Sequence, residues 1–269
     1  MSSSGKSYEE VSRSKDNIAR GIKKNDPVGT ATFIVLRVAD PFLQYAILGH
    51  GLANGLIKKL GGTILAPGPP VITNTMADRL GLSPYRSILL AMSVSSTIKQ
   101  MFHLTAIMQE RVSPQYGLAI GLGSAVADTI NSLLFSTAQT SASVNGEQFP
   151  QTPLVVGSSF FALGLVLEWY SEVQRHAYKK DPANKGKVYQ AGLFGLSRHV
   201  NYFGYMLWRT GFALAAGGWI WGAANAVLTT YQFSRSGIPV LEHYMRDRYG
   251  TQYDVYQKKV PYKFVPLLW

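Results

Sequence analysis

The sequence predicts an all-α fold: a polytopic membrane helical bundle of about six transmembrane helices, with a C-terminal helical hairpin and a basic cytosolic tail. Hydrophobic residues make up 46% of the 269-residue chain and charged residues only 15%, whereas soluble domains carry about 25% charge. The apolar residues gather in long windows that are separated by polar or glycine-rich segments. Cysteine is absent, which excludes disulfides and thiolate metal ligands.

The predicted elements follow from these windows in chain order. Residues 1–26 are polar and mixed in charge, and we expect a disordered tail without a signal-peptide core. The first four apolar windows each predict one span, and a fifth follows them. The windows lie at 28–57, 85–108, 116–138, 153–169 and 202–233. A loop at 61–70 that is rich in glycine and proline separates the first two spans.

The fifth window is too long for one ordinary span. Residues 210–234 carry no charge and suit a single helix, but Gly217-Gly218 beside Trp219 and Trp221 equally suits the turn of a short hairpin. The basic residues favour the hairpin, because residues 1–24, 175–198 and 235–263 each hold six of the 26 Lys and Arg. A hairpin brings all three groups to one side of the membrane, with both termini cytosolic.

The net charge of +11 does not indicate nucleic-acid binding, because the basic residues flank apolar spans and no separate soluble domain offers a reading surface. Their predicted partner is the lipid bilayer with its anionic headgroups, and two of the clusters can also hold a phosphate-bearing ligand. No protein partner is predicted. The five histidines form no metal-binding pair with a helical carboxylate, so no metal is expected.

Three motifs in the C-terminal part carry a family resemblance. They are Glu168-Trp-Tyr-Ser-Glu-Val-Gln-Arg175 with Lys179-Lys-Asp-Pro-Ala-Asn-Lys-Gly186, then Ser197-Arg-His-Val-Asn-Tyr-Phe-Gly204, then Glu242, Arg246, Tyr249-Gly250, Tyr253, Tyr256 and Val260-Pro-Tyr-Lys-Phe-Val-Pro266. In this order they resemble the membrane superfamily that includes steroid 5-alpha-reductases, sterol reductases and isoprenylcysteine carboxyl methyltransferases. The likeness is closest to the steroid-reductase-like members. It covers residues 168–269.

The resemblance implies an endoplasmic-reticulum enzyme that reduces a carbon–carbon double bond in a steroid, sterol or other lipid with NADPH. Residues 27–167 would form the substrate side and residues 168–269 the cofactor-binding region. Hydride would come from the nicotinamide, and Tyr202 or His199 would supply the proton as the catalytic residue. The chain lacks a GxGxxG fingerprint, so cofactor binding would be of a non-Rossmann kind.

Candidate cofactor-binding residues have guanidinium, ammonium, amide or phenol groups that suit phosphates, ribose and carboxamide, or a carboxylate that can orient such groups. They are Arg175, Lys179, Asn184, Arg198, Asn201, Glu242, Arg246, Arg248 and Tyr253. We expect Glu242 to orient an arginine or a ribose hydroxyl. The dense Lys and Arg favour NADPH, which carries more negative charge than S-adenosylmethionine.

Two alternatives stay open at the level of sequence. One is an S-adenosylmethionine-dependent methyltransferase of a lipid or lipidated substrate, because related methyltransferases share the Arg-His and Glu…Tyr-Gly patterns. The other is a catalytically inactive membrane protein that keeps the fold. The second rests on two departures from the family motif, since Val200 replaces the family proline and Tyr205 replaces an acidic residue that often follows the motif glycine.

The N-terminal half offers candidate substrate residues, because ionisable groups in spans usually face the bundle interior. These candidates are Lys99, His103, Asp128 and Arg209. Lys99 and His103 lie one helical turn apart and can line a substrate cavity. Asp128 is either a proton relay or the partner of Lys99, and Arg209 either reaches the pocket of Tyr202 or snorkels. Arg37 and Asp40 are expected to neutralise each other.

Overall fold

A computed structural model describes residues 26–144 and 146–269. Within these residues the chain is helical and has no strand, apart from an isolated bridge between Ile64 and Thr137. The predicted all-α class is therefore confirmed. The predicted disordered tail lies outside the described residues except for Asp26.

The helices are α1 Pro27–His50, α2 Asn54–Lys59, α3 Pro84–Phe102, α4 Pro114–Ser136, α5 Thr152–Lys180, α6 Val200–Gln232, α7 Ile238–Tyr249 and α8 Thr251–Lys259, with π-helical turns at His103–Ile107 and Phe233–Gly237 and short 3₁₀ turns at Met76–Leu80, Pro182–Asn184 and Gly192–Gly195. Three long helices begin with proline directly after a capping side chain, which is Asp26 in α1, Ser83 in α3 and Ser113 in α4. Such a side chain accepts a hydrogen bond from a backbone N–H of the first turn, which has no partner within the helix. Proline suits the first helical position because it has no backbone N–H that would need a partner. Helix α1 ends at Gly51, whose φ of 66° is left-handed, so it is shorter than the first apolar window.

Four segments of the described chain are long and apolar enough to cross a membrane: Pro27–His50, Pro114–Ser136, Thr152–Lys180 and Val200–Tyr249. Helix α3 has 19 residues and carries the buried Arg86 and Lys99. It packs against α1 within the bundle. The predicted helical membrane bundle is thus confirmed.

Helix α6 consists of two helical segments, which form the two limbs of a hairpin. Gly218 interrupts it with φ 75° and ψ −168°, a conformation that glycine alone adopts readily. The ring of Tyr202 stacks on that of Phe233 with centroids 4.6 Å apart, although one continuous helix would separate these residues by about 46 Å. The chain therefore reverses at Gly217-Gly218, and the hairpin alternative is confirmed over the single helix.

Helices α5 and α6 pack with their backbones in direct contact. Gly157 and Gly164 on α5 face Gly204 and Gly211 on α6, and a Cβ built on Gly164 would lie 2.4 Å from the backbone nitrogen of Trp208. Such an approach is possible only without side chains. It holds the C-terminal half of α5, with its glutamates, beside the first limb of α6.

Replacing Gly164 by alanine is expected to force α5 and α6 apart and to destabilise the protein by about 1–3 kcal/mol, the usual cost of overpacking. Unfolding midpoints in detergent would measure the loss. The matched control is Gly123→Ala in α4, where an added Cβ meets no atom within 4 Å. Equal midpoints for the two variants would contradict the packing argument.

Candidate functional site

The candidate site is centred on the carboxylate of Glu242 in α7. Its Oε1 lies 3.0 Å from Nη2 of Arg198 and 3.5 Å from Nε2 of His199, and its Oε2 lies 3.3 Å from Nζ of Lys263. We call these four residues the Glu242 cluster. They come from three distant parts of the sequence, and the structure brings them together at the start of α6.

Backbone pairing fixes this arrangement. The amides of Arg198 and His199 donate to the carbonyls of Tyr262 and Lys263 over 3.0 and 3.1 Å. Nη1 of Arg198 also donates to the carbonyl of Val260 over 2.7 Å. The C-terminal segment therefore forms one wall of the cluster. Sequence reasoning missed Lys263 as a site residue, although it stands inside the ending motif.

Several buried polar atoms of this region have no partner in the described chain. They are Nε of Arg198, Nδ1 and Nε2 of His199, Oδ1 of Asn201 and the hydroxyl of Tyr253. The 3.5 Å approach of His199 to Glu242 is too long for a good hydrogen bond. Because unsatisfied buried polar groups cost free energy, their concentration here indicates a place that a polar ligand completes.

The two residues predicted to be catalytic lie in an aromatic stack. The rings of His199 and Tyr202 are 5.6 Å apart and nearly parallel, and Phe233 stacks on the other side of Tyr202. Burial lowers the pKa of His199 below its ordinary value against the opposing effect of Glu242, so the imidazole is neutral at pH 7. Burial raises the pKa of Tyr253, whose phenol therefore stays a hydrogen-bond donor.

Two further predicted cofactor residues meet at a second glutamate. Glu172 of α5 pairs with Arg175 and accepts a 2.7 Å hydrogen bond from Nδ2 of Asn201. Asn201 follows His199 by two residues, so it connects Glu172 to the Glu242 cluster. Glu172 is almost completely buried.

The other predicted cofactor residues make their contacts outside the Glu242 cluster. Lys179 donates to the carbonyl of Lys187 over 2.6 Å and to the hydroxyl of Tyr249 over 2.7 Å. Asn184 donates to the carbonyl of Tyr178 over 3.2 Å. Arg246 lies 3.8 Å from the exposed Asp254, and Arg248 donates to the hydroxyl of Tyr244 over 2.7 Å. These groups hold turns and helix ends together.

Two of the four candidate substrate residues lie near Glu172. Lys99 pairs with Glu168, which also accepts a 2.6 Å hydrogen bond from Nε1 of Trp208. The ring of His103 interacts electrostatically with Glu172, Lys99, Glu168 and Arg175. We call Lys99, His103, Glu168, Glu172 and Arg175 the inner cluster.

The other two candidates belong to a separate ion network. Asp128 lies 3.0 Å from Nη1 of Arg209 and 3.6 Å from Nη1 of Arg37, which pairs with Asp40 over 2.6 Å. The predicted neutralisation of Arg37 by Asp40 is confirmed. The pairing of Asp128 with Lys99 is wrong, because Glu168 takes Lys99. Arg209 is 7% exposed, so it does not snorkel. We call Arg37, Asp40, Asp128 and Arg209 the core ion network.

The departures from the family motif have structural explanations. Val200 is fully buried and is the first residue of α6, a position that favours proline but does not need it. Tyr205 packs edge-on against Trp208 and its hydroxyl accepts a 3.2 Å hydrogen bond from Arg209. The motif position after Gly204 is thus part of the packed interior.

The chain is similar to known proteins, in one case over most of its length. A profile described as a protein of unknown function (DUF1295) matches residues 125–260. The probable O-methyltransferase ustE of Ustilaginoidea virens is 39% identical over 246 residues, which cover 89% of this chain and 87% of that protein.

Two further relatives match shorter parts. Protein-S-isoprenylcysteine O-methyltransferase B of Arabidopsis thaliana is 32% identical over 75 residues, 28% of this chain and 38% of the relative. A probable 7-dehydrocholesterol reductase of Acanthamoeba polyphaga mimivirus is 31% identical over 86 residues, 30% of this chain and 18% of the relative. Methyltransferases and a reductase therefore both occur among the relatives, as the motifs predict.

Proposed function

Since the chain belongs to the DUF1295 family of steroid 5-alpha-reductase-like membrane proteins, we propose that it is an S-adenosylmethionine-dependent O-methyltransferase of a lipophilic acceptor. The Glu242 cluster, with its mixed charges and unpartnered polar atoms, is the observation that carries the proposal. The proposal reverses the order that the sequence favours. The relative named as an O-methyltransferase covers 89% of the chain, whereas the relative named as a reductase covers 30%.

The mixed charge of the Glu242 cluster suits the amino-acid end of S-adenosylmethionine, because that end carries both an ammonium and a carboxylate group. Glu242 would accept hydrogen bonds from the ammonium group, while Arg198 and Lys263 would hold the carboxylate. Neutral His199 and the phenol of Tyr253 add groups of either hydrogen-bonding sense. The ammonium and the carboxylate of the ligand's amino-acid end then each meet an opposite charge at one place.

NADPH calls for a different arrangement, because its pyrophosphate and 2′-phosphate need several cations without carboxylate partners. Here Arg198 and Lys263 share Glu242, and Arg175 pairs with Glu172. The number of Lys and Arg in the sequence therefore overstates the positive charge that is available to a ligand. NADPH-dependent reduction remains the second candidate, supported by the motif at 179–186 and the reductase relative.

The protein's part in methyl transfer would be binding, orientation and exclusion of water. When bound, S-adenosylmethionine supplies an electrophilic methyl group. Arg198, Glu242 and Lys263 would orient it from the end of the hairpin, and the apolar helices would admit an acceptor from the bilayer. The proposal includes cytosolic termini, supported by the three basic groups, and residence in the endoplasmic reticulum, which the family resemblance implies.

A binding titration tests the proposal. Purified protein in nanodiscs is titrated by calorimetry with S-adenosylmethionine, S-adenosylhomocysteine, NADPH and NADH. We expect saturable binding of the first two compounds only, and its loss in Arg198→Ala but not in the matched control Arg246→Ala. Binding of NADPH without S-adenosylmethionine would establish the reductase instead. Failure of all four compounds would favour an inactive protein.

A further inference from the structure

His103 stands where the regular helix of α3 ends. It opens the π-helical turn His103–Ile107, which packs against α5. Single π-helical turns occur often at functional sites. The turn carries the ring into the inner cluster, where its charged neighbours are Lys99 on its own element and Glu168, Glu172 and Arg175 on α5.

The carboxylates of the inner cluster are fully engaged. Glu172 accepts from Arg175 and Asn201, and Glu168 accepts from Lys99 and Trp208. A carboxylate that is held by a cation and a second donor is a weak base. The described residues 26–144 and 146–269 provide no hydrogen bond to the ring nitrogens of His103, so its imidazole is the group here that can accept a proton.

The charges of the inner cluster also restrict the acceptor. Lys99 is paired with Glu168, and Arg175 is paired with Glu172. With a neutral imidazole the cluster has no spare cation to bind a carboxylate or another permanent anion. A neutral hydroxyl compound meets no such barrier, but it has a proton to lose before its oxygen can be methylated.

An apolar surface lies beside His103. The rings of Phe102 and Trp169 meet edge to face at 6.2 Å, and these residues are 40% and 42% exposed. Phe102 precedes His103 directly, and Trp169 follows Glu168. A lipophilic compound in the bilayer therefore meets an exposed aromatic pair whose members are chain neighbours of two residues of the inner cluster.

We propose that His103 is the general base of the methyl transfer and that the acceptor is a neutral lipophilic hydroxyl compound of the phenol type, an inference that rests on the proposed function. The acceptor hydroxyl gives its proton to a ring nitrogen of His103. Its oxygen forms the new bond to the methyl carbon, and the electrons of the broken carbon–sulfur bond stay on sulfur. The imidazolium then releases the proton to water.

The first test needs no cofactor. 2-Nitro-4-nonylphenol changes its absorption spectrum when it ionises, so a pH titration of the bound compound in nanodiscs reports the base beside it. We expect the bound phenol to ionise at least about one pH unit lower in the wild type than in His103→Gln. His50→Gln, which replaces an exposed histidine at the end of α1, is expected to match the wild type.

The second test compares acceptors. We expect His103→Gln to slow methylation of 4-nonylphenol by about 100-fold or more, and methylation of the more acidic nitro compound much less. The affinity for S-adenosylmethionine should not change. An equal loss with both phenols, a wild-type rate in the variant, or faster methylation of a long-chain fatty acid than of 4-nonylphenol would each overturn the inference.

The two proposals fail in different ways. If the wild type does not bind S-adenosylmethionine, the proposed function fails and the methyl transfer fails with it. If the wild type binds it and methylates phenols while the ionisation of the bound nitrophenol is the same in His103→Gln, the role of His103 alone is overturned.

Discussion

Glu242→Gln is expected to lower the affinity for S-adenosylmethionine by about 100-fold, within the range that follows from breaking one member of a buried charge pair. Glutamine keeps the shape of the side chain but removes the negative charge that lies against Arg198, His199 and Lys263. The ligand's ammonium group would then meet two cations without a carboxylate. Calorimetry in nanodiscs measures the change.

The same variant separates the two candidate cofactors by the sign of the effect. For NADPH, removing Glu242 frees Arg198 and Lys263 for phosphate, so binding should become tighter. The matched control is Asp254→Asn, which makes the same charge change in the exposed pair with Arg246 and should alter neither affinity, because such pairs contribute little. Unchanged S-adenosylmethionine affinity in Glu242→Gln would contradict the proposed role of the Glu242 cluster.

The hairpin shows what the sequence predicts well. A long uncharged window, the pair Gly217-Gly218 and the placement of Lys and Arg are all local or compositional signals. The uncharged window and the placement of Lys and Arg follow from the cost of placing charge in lipid. The glycine pair marks a turn because glycine adopts positive φ freely. The structure agrees with the hairpin that these signals predict, since Gly218 is the residue that breaks α6.

The partners of the buried charges are harder to predict. Pairing of Asp128 with Lys99 is one of two interpretations that the sequence leaves open, because both residues lie in spans, yet Lys99 meets Glu168 and Asp128 meets Arg209. Which helices adjoin depends on packing, here on the glycine contacts between α5 and α6. The spacing of charged residues along a single sequence does not show which helices will be neighbours. The sequence alone therefore finds a pair within one helix, such as Arg37 with Asp40, but not the pairs between helices.

The sequence ranks NADPH before S-adenosylmethionine, and the proposed function reverses this order for a similar reason, since the partners of the charged residues become visible only in the fold. The sequence shows many cations in residues 175–198 and 235–263, and counting them favours a phosphate ligand. In the structure Arg175 and Arg198 each have a carboxylate partner. Charge density read along a chain is thus a poor guide to the field at a site, where every carboxylate that folding brings near a cation reduces it.

Asp128→Asn is expected to produce the largest loss of stability, about 3–5 kcal/mol. Asp128 in α4 joins Arg37 in α1 to Arg209 in α6, and these residues are at most 7% exposed. Without it, the core ion network keeps two guanidinium groups and a single carboxylate inside an apolar bundle. Unfolding midpoints in detergent, converted to free energies of unfolding, measure the loss.

A double variant identifies the cause of that loss. Asp128→Asn combined with Arg209→Gln restores charge balance, so it should recover much of the stability, because removing both partners of a buried pair costs less than removing one. Asp254→Asn, in the exposed pair with Arg246, is the control for loss of a carboxylate alone. If the double variant is as unstable as Asp128→Asn, the helices depend on the shape of these side chains instead of their charge, and the core ion network would not be what ties α1, α4 and α6 together.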